Sequence, residues 1–283
     1  MAALRKVGIG KRAVCIKLVN RGLLLNLGCG DRTHSAWVNI DYSRAAKIKA
    51  WLVVRRWVRS PLPSNYLNHD LRKGIPFADG AAEVTYSSHV LEHLPRELGL
   101  GFCREQWRVL RLGGIIRVVV PDLEGLAFEY LNSIQAARQG GDEAALRHEW
   151  SVIRLIDQLV RTKPGGQMQS WLKEHRELSF VRELSGIFAE ISSARTGETR
   201  SCWLRPIRDW MLQVRNPAQS GELHRWMYDE FSLGRLLAQA GFSHISKVDA
   251  GLSQIAGWSQ YFLDRSPDGE IHQPGSLYME ATR

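Results

Sequence analysis

The sequence predicts an α/β fold with a mostly parallel sheet and a helical insertion, and three observations carry that reading. Between residues 23 and 122, short apolar runs alternate with helical stretches, the pattern of a parallel sheet covered by helices. The run LLLNL (23–27) stops abruptly at Gly-Cys-Gly, and the next apolar run ends in a lone carboxylate, Asp41. From 126 to 222 the pattern changes to helical stretches rich in Trp, Arg and Glu, with no second strand–helix alternation.

The chain has 283 residues, enough for one large domain with an insertion. Apolar residues make up 44% and charged residues 24%, ordinary for a globular protein, and no run approaches the length of a membrane span. Lys11, Arg12 and Lys17 interrupt the opening stretch, which makes it a poor signal peptide. Cys15, Cys29, Cys103 and Cys202 are far apart and show no metal-ligand spacing, so reduced thiols in a cytoplasmic protein are expected. The net charge of +9 is unevenly spread. Residues 1–75 hold 15 Lys/Arg and 3 Asp/Glu, so the basic charge belongs to the N-terminal third. Such a face suits an anionic partner or is simply solvated.

Taken in order, residues 1–22 form a basic lead-in expected to be partly helical. Leu23–Leu27 and Trp37–Ile40 read as buried strands. From Arg44 to Arg59 the period is helical, with Ala46, Ala50, Val53, Val54 and Trp57 on one side and mostly basic residues opposite. SPLPS (60–64) breaks it. YLNHDL carries a short strand ending near Asp70, and EVTYSS (83–88) is strand-like. LGLGFCREQWRVLRLGG reads as a helix capped by Gly113, followed by the β-branched strand IIRVVVPD (115–122). DEAALRHEWSVIRLIDQLVR is a strong helix before the breaker TKPGG. Residues 228–242 form a helix ended by glycine, and HISKVDA and SLYMEATR read as late strands. The expected organisation is therefore a basic segment (1–22), a core (23–125), a helical insertion or lid (126–222) and the closing part of the core (223–283).

A strand entering Gly-x-Gly lets the backbone turn under a ligand, because a Cβ would block the approach. A carboxylate ending the next strand accepts hydrogen bonds from two ribose hydroxyls. Together they describe a nucleoside-type cofactor over the carboxyl edge of the sheet. There is no GxxxxGK[ST] and no third glycine, which fits a cofactor without phosphate.

At this point LLLNLGCG resembles motif I of the class I S-adenosylmethionine-dependent methyltransferases. Three further stretches match in order: NID ending in Asp41, NHDLRKGIPFADGAAEVTYSSHVLEHL, and REQWRVLRLGGIIRVVVPD. The nearest likeness is to the type 11 methyltransferase-domain group. HVLEHL, VPDLE and WMYDEFSL resemble bacterial enzymes associated with surface polysaccharides. The resemblance implies a Rossmann-like methyltransferase sheet whose last strand is antiparallel, with S-adenosylmethionine as cofactor. It implies that Gly28, Cys29 and Gly30 back the methionine part of the cofactor. Asp41 would hold the ribose, Tyr42 the adenine edge, Asp70 the adenine amino group and the Leu71 amide a ring nitrogen. Ser88 and His89 would line the methionine end. Asn26 stands where the motif usually carries an acid, so its contact with the cofactor's ammonium brings no charge. Only DRTHSA separates Gly30 from Trp37, too short for the helix of an ordinary parallel crossover. The expectation is that the basic N-terminal segment packs in that helix's place.

Methyl transfer to a hydroxyl benefits from a general base. His93, after the fourth core strand, is the candidate base, with helix capping or packing as the plainer role. Asp122, after the fifth, would orient a histidine or bind an acceptor hydroxyl, or else act as an N-cap, where Asp is favoured. Glu92 and Glu124 read as surface or cap residues. His224, Trp226 and Tyr228 would enter the acceptor pocket from the lid side, although an aromatic cluster at this spacing also suits a core. No metal is expected, since no carboxylate cluster marks a site. The expected activity is O-methylation of a small or carbohydrate acceptor, such as a surface-glycan sugar or its precursor. The alternatives are C-methylation of a quinone or natural-product ring, and a non-catalytic cofactor-binding scaffold. Nucleic acid ranks below anionic lipid as a partner for the basic third, which would make the chain cytoplasmic and peripheral to the inner face of the membrane.

Overall fold

The computed structural model describes residues 3–9 and 12–18 as backbone, and 22–42, 65–175, 177 and 223–283. The helix expected over 44–59 lies outside the described residues, as do Trp203, Arg205, Arg208 and Trp210 of the insertion. The N-terminal segment departs from expectation. Strands β1 (Ala3–Ile9) and β2 (Arg12–Leu18) pair antiparallel from Ala3↔Leu18 to Ile9↔Arg12, where a partial helix was expected. Val14, Ile16 and Leu18 recur at every second position with Cys15 and Lys17 between them, a strand period.

The main sheet has seven strands: β3 (Leu23–Leu27), β4 (Val38–Asp41), β5 (Tyr66–Asn68), β6 (Ala82–Ser88), β7 (Leu110–Pro121), β8 (Ser243–Val248) and β9 (Ser276–Thr282). Their order is β5-β4-β3-β6-β7-β9-β8. The first five run parallel, and β9 is antiparallel to both β7 and β8. This is a Rossmann-like methyltransferase sheet, mostly parallel with its last strand reversed. The carboxyl ends of β3, β4, β5, β6 and β7 share one edge, and every candidate site residue before position 123 lies on or beside it.

Helix α1 (Arg96–Val109) crosses from β6 to β7. It stops at Val109, not at Gly113 as the sequence suggested, and β7 begins at once. The Arg108 guanidinium fixes that end. It donates to the carbonyls of Ile75 and Phe77 and pairs with Glu105 and Asp79. Gly113, at φ +70°, instead serves an irregularity in β7, where pairing shifts between Ala82↔Leu110 and Val84↔Ile115. After β7 come α2 (Leu123–Gln139), α3 (Asp142–Val160) and α4 (Gly166–Glu174), then α5 (Glu230–Ala240), ended by Gly241 in the left-handed region. Helices α3 and α4 share a small apolar cluster in which Trp150 stacks on Trp171 at 4.9 Å.

The short β3–β4 connection dispenses with a helix by spending polar side chains. Asn39 and Asn65 each donate to the carbonyls of His34 and Trp37, at 2.8–3.1 Å. Asn26 donates to Arg32 O at 2.9 Å and to Asn39 Oδ1 at 3.0 Å. These bonds drive Trp37 into the sheet face, fully buried against Tyr86, Trp258 and Tyr261. Residues from the loop before β9, among them Ala250, Ile255, Trp258 and Leu263, complete this second core. Beneath it Arg117 is fully buried and satisfied by Asp264 at 2.8 Å, Glu280 at 2.7 Å and the carbonyls of Asp249 and Leu252.

Two stability predictions follow from this packing. Trp37→Ala should cost about 3–5 kcal/mol, read as a lower urea midpoint. Arg117→Leu, which strands two buried carboxylates, should cost a similar amount, about 3–5 kcal/mol, in the same assay.

Candidate cofactor and acceptor site

The turn after β3 is built first. Gly28 sits at φ +71°, and both Gly28 and Cys29 donate their N–H groups to the Ile40 carbonyl at 2.7 and 3.1 Å. A Cβ on Gly28 would lie 2.3 Å from Val90 Cγ2, so the turn and the loop after β6 touch where only glycine fits. The Gly30 N–H donates to Asp41 Oδ2 at 2.7 Å, and the Tyr42 N–H to Oδ1 at 2.6 Å. The carboxylate is thereby fixed at the sheet edge, with its remaining lone pairs available to hydroxyls. Cys29 is buried, and burial, with Asp41 adding to it, pushes its thiol up to about 12, so it stays neutral. Asn26 is buried with both amide hydrogens spent inside the loop, which makes it a fastener of the turn.

At the adenine end, Asp70 caps the turn Leu71–Lys73 and is gripped by Arg72 through two bonds of 2.9 Å. That hydrogen bonding holds its carboxyl below the usual range. Leu71 opens this turn and packs on the main core, and Tyr42 is exposed beside it on the same edge. His69 ties the segment back, its N–H donating to the Asp41 carbonyl at 2.9 Å.

The loop after β6 holds a cluster that the sequence did not announce. Ser88 ends β6, and His89 follows at φ +53° with its N–H donating to Val119 O. Its Nε2 lies 2.9 Å from Ser276 Oγ and its Nδ1 lies 3.0 Å from Glu92 Oε1. Glu92, read from the sequence as a surface or cap residue, is fully buried. His93 Nε2 stands 4.0 Å from the same oxygen, while its Nδ1 meets the Leu223 carbonyl at 3.1 Å. The His224 ring, 4% exposed as a residue, lies edge-on to His93 at 5.0 Å. Neither Glu92 oxygen receives an aligned hydrogen bond. Burial would raise the Glu92 carboxyl, but the histidines, His89 foremost, outweigh it and hold it below the ordinary range. Burial pushes His224 down to about 3, so it is neutral.

The remaining candidates separate. The Asp122 carboxylate caps α2, accepting from the Glu124 and Gly125 N–H groups at 3.1 and 3.2 Å, with Lys247 3.7 Å away. Among the described residues no hydrogen bond or ion pair joins it to His93, so the expected His93–Asp122 pair is not formed. Tyr228 is 3% exposed and packed in the main core near Gly99, where burial raises its hydroxyl to about 12, so it is no pocket wall. Trp226 stays partly exposed beneath the Arg96 guanidinium, 4.4 Å from its ring. The signal for the Glu92 cluster lay partly in His89-x-x-Glu92-His93. Its other half, His224, lies 131 residues beyond His93, and no local spacing could announce it.

The residues fit a nucleoside cofactor: a glycine turn with no room for a Cβ, and next to it a fixed carboxylate at the carboxyl edge of a parallel sheet. The family described as a methyltransferase domain, Methyltransf_11, matches residues 25–118. That stretch is a methyltransferase domain of the S-adenosylmethionine-dependent kind. No curated protein matches the chain. Among solved structures, a SAM-dependent methyltransferase from Thermotoga maritima is 12% identical, with 94% of this chain and 84% of that chain covered, at a TM-score of 0.35. One from Archaeoglobus fulgidus is 10% identical, with 93% and 86% covered and a TM-score of 0.38. A methyltransferase in complex with the Haloferax volcanii Trm112 activator is 12% identical, with 92% and 82% covered and a TM-score of 0.37. The strand order, not these distant likenesses, defines the fold.

Gly28→Ala should abolish S-adenosylmethionine binding in a calorimetric titration, because the added methyl must displace Val90 from the turn. Retained binding would show that the turn and the loop after β6 can part.

Proposed function

We propose that the methyl group goes to a hydroxyl of a small or carbohydrate acceptor, such as a surface-glycan sugar or its precursor, received beside His93. The observation that supports this reading is the buried Glu92 carboxylate among imidazoles, on the loop that touches Gly28. A ring carbon needs no base, and an amine needs only to arrive unprotonated. A hydroxyl gains from one, and an imidazole whose other nitrogen is held by a carbonyl can supply it. S-adenosylmethionine supplies an electrophilic methyl on a sulfonium. The chain's part is to hold the acceptor oxygen in line with it and to take the proton. The Leu223 carbonyl keeps the His93 hydrogen on Nδ1, which leaves the Nε2 lone pair as the proton acceptor. Glu92 then stabilises the imidazolium, and His224, neutral, adds no opposing charge.

The test begins with calorimetric titration of S-adenosylmethionine and S-adenosylhomocysteine, with Asp41→Ala as the control expected to lose binding. His93→Ala should bind the cofactor as the unaltered chain does. Its turnover on a hydroxyl acceptor should fall by about 10²–10⁴-fold. Full turnover in that variant would remove His93 from the reaction, and methyl found on a ring carbon would remove the hydroxyl.

A further inference from the structure

We propose that Glu92, His93 and His224 bind one divalent transition-metal cation of the zinc class, at a position open toward the acceptor. Each residue offers one donor atom, and the three atoms lie within 4.8 Å of one another. Bonds of about 2.1 Å in a tetrahedral site need donors about 3.4 Å apart, so a contraction of at most about 1.4 Å between donors completes the set. Two imidazoles and a carboxylate form the three-ligand arrangement of a catalytic zinc site, which leaves a further position for an exchangeable oxygen.

Three independent features of the cluster favour an ion over a bare hydrogen-bonded group. First, the Glu92 side chain is 0% exposed, yet neither of its oxygens has an aligned hydrogen-bond donor. A buried carboxylate in that state is costly, and a cation is the partner that removes the cost. Second, His93 is held as a metal-ligating histidine is held: its Nδ1 is committed to the Leu223 carbonyl, and its Nε2 faces the cluster. His89 flanks the carboxylate, its Nδ1 3.0 Å from Glu92 Oε1 but out of hydrogen-bond alignment, and its Nε2 2.9 Å from Ser276 Oγ. Third, the main chain delivers His224 firmly. The N–H groups of Arg225 and Trp226 donate to the Glu92 carbonyl at 2.7 and 3.2 Å, and that of His224 donates to Gln158 O at 2.8 Å. The His93 side chain, 24% exposed, marks the open side.

The role of the ion rests on the reading that a hydroxyl acceptor arrives here. Coordinated at the open position, the hydroxyl is acidified and releases its proton to solvent. Its oxygen then forms the bond to the methyl carbon as the carbon–sulfur bond breaks, and the cofactor leaves as the neutral thioether. In that state the His93 lone pair belongs to the ion, and coordination replaces proton transfer to imidazole.

The experiment uses the full chain stripped with a chelator and titrated with Co²⁺, followed by visible absorption, with Zn²⁺ as competitor. One equivalent should bind, develop ligand-field bands and be displaced by Zn²⁺. Glu92→Gln, His93→Gln and His224→Gln should each weaken binding by about 100-fold. Circular dichroism and cofactor calorimetry report folding, and the part-exposed His93→Gln decides if a buried variant does not fold. No Co²⁺ binding by the unaltered chain, or equal affinity in all variants, would overturn the site. Hydroxyl methylation without a bound ion would overturn it too, while leaving the imidazole base standing. Binding with no hydroxyl methylation would instead overturn the acceptor reading alone.

Discussion

The closing half of this domain depends on a guanidinium sealed under the sheet. Arg117, in the middle of β7, has no access to water, so its charge must be met entirely by protein. Glu280 on β9 meets it from the neighbouring strand, and Asp264 from the loop before it. Each carboxylate is in turn fastened. The Tyr86 hydroxyl donates to Asp264 at 2.5 Å, and the Gln254 N–H donates to Glu280 at 2.8 Å, with Ser253 bonded beside it. Burial raises the Asp264 carboxyl, and Arg117 opposes that shift. The carbonyls of Asp249 and Leu252 take the remaining donors, while Trp258 and Tyr278 lie against the guanidinium face. The result is a long irregular segment laid over the sheet at a fixed height. Trp258, Ile255 and Leu263 can then close the second core over Trp37.

That closure is what frees the carboxyl edge for chemistry. With Trp37 plugging one face, the β3–β4 connection needs no helix, and its polar side chains hold the glycine turn in one shape. The turn rests directly on Val90. Three residues carry the chain from that contact past Glu92 to His93. The glycine turn beside Asp41 and the loop that carries Glu92 and His93 are thus set by one contact rather than by two independent loops, the economy that pre-organised sites require.

Much of the sheet was legible because parallel strands buried on both faces read as continuous apolar runs. β3, β4, β6 and β7 were found within a few residues. The Gly28–Asp41 relation was legible because its chemistry is local: a tight turn, then a carboxylate on the adjacent strand. Other features were not, for physical reasons. Helix α1 ends early because Arg108 is held by partners some 30 residues upstream, which outweighs the local appeal of Gly113 as a cap. Tyr228 shares its sequence neighbourhood with His224, yet only the fold decides that the ring enters the main core and the imidazole lies against His93. Glu92 looked like a surface acid because nothing nearby betrays that the chain returns, far downstream, to bury it.

The two ends of the region between α2 and α5 are close together. The Leu123 N–H donates to the Tyr228 carbonyl at 3.0 Å, and Asp122 and Tyr228 form a β-bridge, so the chain leaves and rejoins the sheet at almost one point. Inside that excursion, Trp150 and Trp171 form an apolar nucleus separate from the two cores on the sheet. Its helical part can lengthen or shorten at little cost to its host provided the 223–228 stretch, which ties back to Glu92 and His93, is kept. A chimera that keeps the 122/228 junction and residues 223–228 intact is the natural unit for redesign.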